Sequence, residues 1–303
     1  MGNMWLLILP FSCSSTEKDT CDDSLDSCHE AEAHDSGQQE SSDTGSDTGD
    51  APETEEPEDT GSPQEEEEPD SSPCEGIAIC DDFEGHSTGA IPAAQWSIET
   101  PNCSGLGEAM VADDHARSGS NSIKILGTGG YCDHIFIAPT ADVSAIGPNF
   151  YGRFWMRIEN AFGWEHITFL AMKDEVEGKD LRMGGQSQIM MWNRESDDAT
   201  LPELSPTGIS LSHAPVPQTW MCVSFHIDEV AGTIETWIDD ESIAGLLQDG
   251  IATPDVDRQW VEQKPDWVPS LIDIKLGWES YGGSNNTIWY DDVAFSSSPL
   301  SCE

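Results

Sequence analysis

The chain has 303 residues, with 58 Asp and Glu against 12 Lys and Arg, a formal net charge of −46. A field of that sign excludes nucleic acid and anionic membrane surfaces as partners, since both require a basic footprint. It also opposes polyanionic ligands unless the few cations are gathered in one place, an objection that salt softens by screening.

Residues 1–13, "MGNMWLLILPFSC", read as an apolar export segment ending at a cysteine. The run is too short to span a bilayer. It resembles a bacterial lipoprotein signal, in which Cys13 becomes the lipidated first residue, although no Lys or Arg precedes it and Pro10-Phe11-Ser12 departs from the usual small-residue approach. A lipid anchor at Cys13 is then the one expected membrane contact, and the protein is expected outside the cell or on its surface, as an outer-membrane lipoprotein. Residues 14–73 hold 22 acids, a single Lys18 and no Phe, Trp or Tyr, in repeats such as "SDTGSDTGD". Such a segment cannot bury enough apolar surface to offset chain entropy, so it reads as a disordered acidic linker. Residues 74–303 keep 36 acids and 11 bases, net −25, and are long enough for one sizeable domain, expected to be monomeric. Besides Cys13 there are eight cysteines, an even number that reads as disulfides in an exported chain. Cys21–Cys28 and Cys103–Cys132 are the expected pairs, and the absence of CxxC speaks against zinc.

From residue 77 onward short β-type runs follow one another: 108–113, 121–126, 134–138, 150–158, 166–173, 187–192, 220–228, 233–239, 271–278 and 287–295. Phe150, Gly152, Phe154, Met156 and Ile158 share one face of their run, with Tyr151, Arg153, Trp155 and Arg157 on the other. Only "DVDRQWVEQ", 255–263, looks helical. Ten or so strands with almost no helix predict an all-β fold, a two-sheet β-sandwich of jelly-roll, concanavalin-like type, whose concave sheet can hold an oligosaccharide.

Two acidic motifs bracket the domain, "CDDFEG" (80–85) and "WYDDVAF" (289–295), with a turn in "ARSGSNSIKI" (116–125) between them. If the first and last strands pair, Glu84, the 118–121 turn and Asp291 or Asp292 converge as oxygen donors for calcium, a hard cation. Equally, Asp81, Asp82, Asp291 and Asp292 can cap strand ends by accepting from backbone amides.

These motifs, together with "LRMGGQSQIMMWNRESDDATLPELSPTG" and "GWESYGG", resemble the Cip-type family of cellulose-induced secreted proteins, itself similar to glucuronan lyases and more distantly to alginate lyases. The resemblance spans roughly residues 76–302. It implies a jelly roll, a bound Ca2+ with Glu84, Ser118, Asn121 and one of Asp291 and Asp292 as ligands, and a groove with lyase-like residues. Arg182, Gln186 and Asp198 match the family's groove arginine, glutamine and aspartate, with His166 as a partner histidine. The histidine that some members carry two places before the arginine is Asp180 here.

Elimination beside a uronate requires its carboxylate to be neutralised, so that the C5 proton becomes acidic. An arginine and an amide do this by charge-assisted hydrogen bonds. A base removes the proton and an acid protonates the departing oxygen. On that logic Arg182 and Gln186 bind the carboxylate, Asn193 and Arg194 are further donors, Lys173 adds positive charge, and His166 or Tyr281 is the base. Each has an ordinary reading too, Arg182 as the ion-pair partner of Asp180 or Asp198, for example. A binding protein without catalysis would instead use stacking platforms, for which Trp155 and Trp164 are the candidates. Hydrolysis would want paired acids on one strand, and "WNRESDDAT" supplies Glu195 and Asp197 with no third acid at the expected step. The sequence therefore points to a polysaccharide as partner, with lyase-like chemistry first and non-catalytic carbohydrate binding second.

Overall fold

Alternation along 150–158 sends Phe150, Phe154, Met156 and Ile158 into the core and leaves Tyr151 and Trp155 half-buried on the opposite face. The structure is a computed structural model and describes Cys74 and residues 76–92, 94–100, 105–282 and 285–302. The export segment with Cys13, the acidic linker, the Cys21–Cys28 pair and Cys103 lie outside the described residues. The strands are, in order, β1 Ile79–Asp81, β2 Trp96–Glu99, β3 Glu108–Ala112, β4 Ser122–Gly127 and β5 Ile135–Pro139. Next come β6 Asn149–Ile158, β7 Ile167–Asp174, β8 Lys179–Gln186, β9 Ile189–Arg194 and β10 Ala199–Leu201. The last five are β11 Met221–Asp228, β12 Thr233–Ile238, β13 Glu241–Ser242, β14 Lys275–Ser280 and β15 Asn286–Ser296.

They form two antiparallel sheets. The first runs β13-β12-β11-β6-β15-β4-β3, with β1 also pairing β15; the second runs β10-β9-β8-β7-β14-β5-β2. First and last strands do pair, Asp81 opposite Val293. Between the sheets lies one apolar core that includes Phe154, Phe169, Trp192, Phe225 and Tyr290. Two side chains, Tyr290 and Trp192, hydrogen-bond across it. The Tyr290 hydroxyl of β15 meets the carbonyls of Phe169 and Gly277 at 3.0 Å each, and Trp192 Nε1 of β9 donates to Thr236 Oγ1 of β12 at 2.9 Å. Large aromatics fill the space while their polar tips stay satisfied.

The run expected at 187–192 divides differently. Ser187 and Gln188 have left-handed φ values of 55° and 68°, forming a two-residue hairpin turn, so β9 starts only at Ile189. β8 precedes the turn and carries Arg182 and Gln186. The run at 271–278 likewise becomes a strand only from Lys275, with Leu271 limited to an isolated bridge to Asp174. Helix α2, Arg258–Gln263, falls inside the expected helical stretch. Helix α1, Pro206–Leu211, was not expected; Pro206 occupies its first turn and Ser205 Oγ caps the Gly208 amide.

Disulfides join Cys74 to Cys80 and Cys222 to Cys302, and Cys132 is disulfide-bonded as well. Such bridges fit an oxidising, extracellular location. Cys222–Cys302 spans 80 residues and fastens the chain end to β11. Replacing both cysteines by serine should lower unfolding free energy by about 2–4 kcal/mol, because the unfolded chain regains the entropy of a long loop. Guanidinium midpoints of wild type and variant, at unchanged slope, measure it.

Candidate functional site

Period-two alternation along β8 buries Leu181 and Met183 in the core and turns Asp180, Arg182, Gly184 and Gln186 to the outer face of the second sheet. Neighbouring strands extend these positions into rows. Arg182 lies between Asn193 of β9 and Ala171 of β7, and Ala171 in turn faces Lys275 of β14. The next row holds Gly184, Thr168 and Glu279. One step further, Gln186 ends β8, His166 immediately precedes β7, and the Tyr281 amide donates to the His166 carbonyl at 2.9 Å. Arg182, Gln186, His166 and Tyr281 thus share one face.

Beside Arg182 opens a cleft of about 300 Å³ lined by Lys173, Lys179, Asp180, Arg182, Glu195, Asp273, Lys275, Glu279 and Glu99. Four of the domain's eleven basic residues stand here, despite its net −25. They are held by acids: Arg182 Nη2 is 3.1 Å from Glu195 and 3.8 Å from Glu279, Lys179 is 3.2 Å from Glu195, and Lys275 is 2.6 Å from Asp273 and 4.0 Å from Asp180. Lys173 lies 3.8 Å from Asp180 and donates to the Gly178 carbonyl. Burial works against the Arg182 charge, but Glu279, Tyr281 and Glu195 outweigh it and keep the guanidinium ionised. Burial pushes the Asp180 carboxyl up, against the pull of Lys275. For Glu195 burial is overcome by the Asp180 amide, Arg182 and Lys179, which hold its carboxylate below the usual range.

His166 and Tyr281 are stacked, ring centroids 5.2 Å apart and planes 13° off parallel. The Arg182 guanidinium carbon lies 5.7 Å from the Tyr281 ring. Burial, then the Arg182 charge, pulls the His166 imidazole down to about 4, with Asp198 opposing. His166 is therefore neutral at ordinary pH, and its buried Nε2 has no hydrogen-bond partner. Tyr281 moves the other way: burial, then its hydrogen bond to Glu279, raises the phenol well above its usual value. These shifts leave His166 unprotonated and Tyr281 protonated at ordinary pH.

Glu279 and His134 were not singled out from the sequence. Glu279 is almost fully buried and 3.4 Å from Nδ1 of the inaccessible His134, whose ring meets Tyr131 edge-on at 5.0 Å. Glu279 stands inside "GWESYGG", so the alternation of β14 was the available signal. Asn193 faces the Arg182 row and keeps its buried Oδ1 without a partner. Trp164 is 69% exposed, and its carbonyl accepts from the Ser187 amide at 3.4 Å, which puts it at the Gln186 end of the face.

Three expectations are corrected. Trp155 lies on the outer face of the first sheet, not in this cleft, and Arg117 covers its ring at 4.0 Å. Arg194 turns away from Arg182 because it is one residue out of phase; Asp197 grips it at 2.6 and 2.8 Å and Trp260 packs on it at 4.7 Å. Asp198 sits exposed on the β9–β10 turn with a left-handed φ of 57°, reaching His166 only through its charge. Glu195 and Asp197 are engaged separately, one in the cleft and one on Arg194, so this motif does not supply the acid pair that hydrolysis would use.

The bracketing motifs meet at the 117–121 turn. Glu84 Oε1 accepts the Ser120 and Asn121 amides at 2.8 and 2.6 Å, and Ser118 Oγ donates to Asp292 Oδ1 at 2.8 Å. Asp291, inaccessible to solvent, accepts the Arg117, Ser118 and Asp292 amides from a bulge in β15. Burial pushes its carboxyl up to about 7 against those three donors. Asp81 and Asp82 likewise accept the Phe83 and Glu84 amides, the capping roles that sequence also allowed. Among the described residues no three His, Cys, Asp or Glu side chains lie close enough to hold a metal.

Because His166 resists protonation in the fold, the unfolded chain takes up a proton near pH 6.5 that the native one refuses until about pH 4. Its contribution is present above pH 6.5 and lost as pH falls through that window, at most about 3 kcal/mol. Denaturant unfolding at pH 7 and pH 4.5 should show this loss in wild type and a smaller one in His166→Gln.

Residues 82–298 match the family model of the Cip1-like core domain of the polysaccharide lyase-like group. Among solved structures, "Cellulose induced protein, Cip1" is 38% identical with a TM-score of 0.67, over 74% of this chain and 100% of that one. An endo-β-1,4-glucuronan lyase from the fungus Trichoderma reesei is 13% identical with a TM-score of 0.49, over 73% of this chain and 96% of that one. No curated protein sequence matches the chain significantly. A β-sandwich with this topology, matched over most of its length by that model, belongs to the Cip1-like, polysaccharide lyase-like family.

Proposed function

We propose that this polysaccharide-active protein uses the outer face of its second sheet for lyase-type elimination on a uronate-containing chain of the glucuronan type. The observation that carries the reading is the stacked His166–Tyr281 pair, 5.2 Å between centroids, beside Gln186 and Arg182. The uronate carboxylate accepts from Arg182 and Gln186, which stabilises the negative charge developing at C5. Neutral His166 takes the C5 proton. The C4–O bond breaks as the C4=C5 double bond forms, and Tyr281 gives its phenolic proton to the departing oxygen. In a β-1,4-linked glucuronate the C5 hydrogen and O4 lie on the same ring face, so base and acid must act from the same side, as adjacent rings do. Asn193 backs the Arg182 row from β9, Lys173 extends the positive rim, and Trp164 offers an indole for stacking.

One observation favours a second reading, carbohydrate binding without catalysis. Arg182 is already paired with Glu195 and Glu279, and acids outnumber cations in the cleft. A neutral glycan would not need to displace them.

The same reading places a calcium ion at the 117–121 turn, held by the Glu84 and Asp292 carboxylates, the Ser118 hydroxyl and the Asn121 amide oxygen. An all-oxygen donor set suits this cation, which would supply structural clamping of the first strand to the last and no chemistry. Asp291, its oxygens already facing three amides, wires the turn instead. Export, a lipid anchor at Cys13, the acidic linker as tether and a monomeric domain complete the proposal.

Incubation with glucuronan should yield ultraviolet absorbance from unsaturated uronate ends, with His166→Ala and Tyr281→Phe each slower by on the order of 100-fold or more. The acid limb of the rate profile should fall nearer pH 4 than pH 6.5. No absorbance from glucuronan or alginate, with retained pull-down on insoluble glucan, would leave binding as the function. Separately, chelator should lower the melting temperature, and calcium at 100 times its Kd should restore about 2.7 kcal/mol. Glu84→Gln should blunt that response, and melting curves identical with chelator and with calcium refute the site.

A further inference from the structure

The opposite outer face, on the first sheet, carries a groove of about 330 Å³ lined by Tyr151, Ser224, Phe225, Trp237, Asp240 and the segment 299–301. Ser224 of β11 stands between Arg153 of β6 and Trp237 of β12, and the adjoining row is Tyr151, His226 and Glu235. The chain end forms the far wall. Cys222–Cys302, the Asp240 carboxylate accepting the Cys302 amide at 3.1 Å, and Arg153 donating to the Ser301 carbonyl at 3.2 Å hold it there. The groove is thus built by covalent and polar ties, and no loop has to close over it.

Its lining has the elements of sugar recognition. The Tyr151 ring is clamped on His226 at 4.1 Å with planes 7° apart, and the half-buried Trp237 offers a second aromatic surface. Ser224 is 4% exposed, and the buried His226 Nε2 in the next row has no hydrogen-bond partner. Asp240 is exposed at the rim. Charge selects the ligand. Asp240 and Glu235 repel an anion, and Arg153, the cation in these rows, is spent on the Ser301 and Asp292 carbonyls. The volume lies at the small end of small-molecule sites, about 300–1,000 Å³, room for one or two sugar rings.

We propose that this groove is a second glycan site, taking one or two uncharged pyranose residues of a β-linked gluco- or xylo-configured chain. Equatorial hydroxyls leave such rings with flat C–H faces for Trp237 and Tyr151, while Asp240 and Ser224 bond the hydroxyl edge. The inference rests on the polysaccharide reading above but not on elimination. With sites on opposite faces, one domain holds a neutral stretch of a mixed polymer while the cleft engages another, at the raised effective concentration that linkage provides.

Native electrophoresis through gels containing hydroxyethylcellulose, and calorimetric titration with xylohexaose, test it on the full chain. Wild type should bind at least one of the two, with little dependence on salt. Trp237→Ala and Asp240→Ala should each weaken that binding at least tenfold, while Tyr281→Phe leaves it unchanged. Melting curves control for folding, and if Trp237→Ala does not fold, the exposed Asp240→Ala decides. The proposal is overturned if neither glycan binds, if both groove variants bind as wild type, or if Tyr281→Phe abolishes binding. Failure of elimination shows in ultraviolet absorbance alone, so the two outcomes stay separate.

Discussion

Leu181 and Met183 enter the apolar core from β8, and Arg182, one residue out of step, leaves from the opposite face of the same strand. A slip of one residue would exchange them, placing a guanidinium between the sheets. The register is pinned at two points. Ser187 and Gln188 set the hairpin to β9, and Gly184 lets β7 approach so closely that a Cβ there would stand 1.8 Å from the Ile167 carbonyl. Both pins also place Gln186 next to His166. The constraint that packs the sandwich therefore aims the candidate chemistry.

Around Arg182 the electrostatics depart from the rest of the domain. A surface of net −25 should repel a uronate, yet four of eleven cations are concentrated in one cleft on β7, β8 and β14. They are structured by Glu195, Glu279, Asp180 and Asp273 in a connected network, so no side chain moves alone. Breaking such a partly buried network by removing one member costs far more than an exposed pair would, about 3–5 kcal/mol against less than 1. Asp180 is part of this arrangement, sitting 3.8 Å from Lys173 and 4.0 Å from Lys275.

The fold was legible because sandwich strands advertise themselves by alternation and by turn residues between them, as Phe150–Ile158 shows. Helix α1 was not, since six residues starting at a capped proline make no periodic signal. Within the site, Arg182, Gln186, His166 and Tyr281 were reached through residue type and family spacing. Arg194 misled because spacing alone ignores which face a strand residue takes, and β9 alternates out of phase with the groove there. Trp155 misled for a related reason: alternation gives its outward face but does not say which sheet carries that face. Glu279 and His134 were missed because their meeting depends on β14 lying beside β5, a long-range pairing that local sequence does not encode.

A uronate approaching Arg182 brings a third anion toward Glu195 and Glu279. At an effective dielectric constant of about 20, two like charges 4 Å apart repel by about 4 kcal/mol, comparable with the attraction one guanidinium returns. Contacts elsewhere along the chain, at Gln186 and Trp164, or a proton taken up by Asp180 must supply the difference. Asp180 is the place for that proton, because burial already pushes its carboxyl up. Protonating it would loosen its hold on Lys173 and Lys275, 3.8 and 4.0 Å away, and leave those cations to the uronate. On the reading proposed above, elimination at this cleft then depends on the charge state of one half-buried carboxyl.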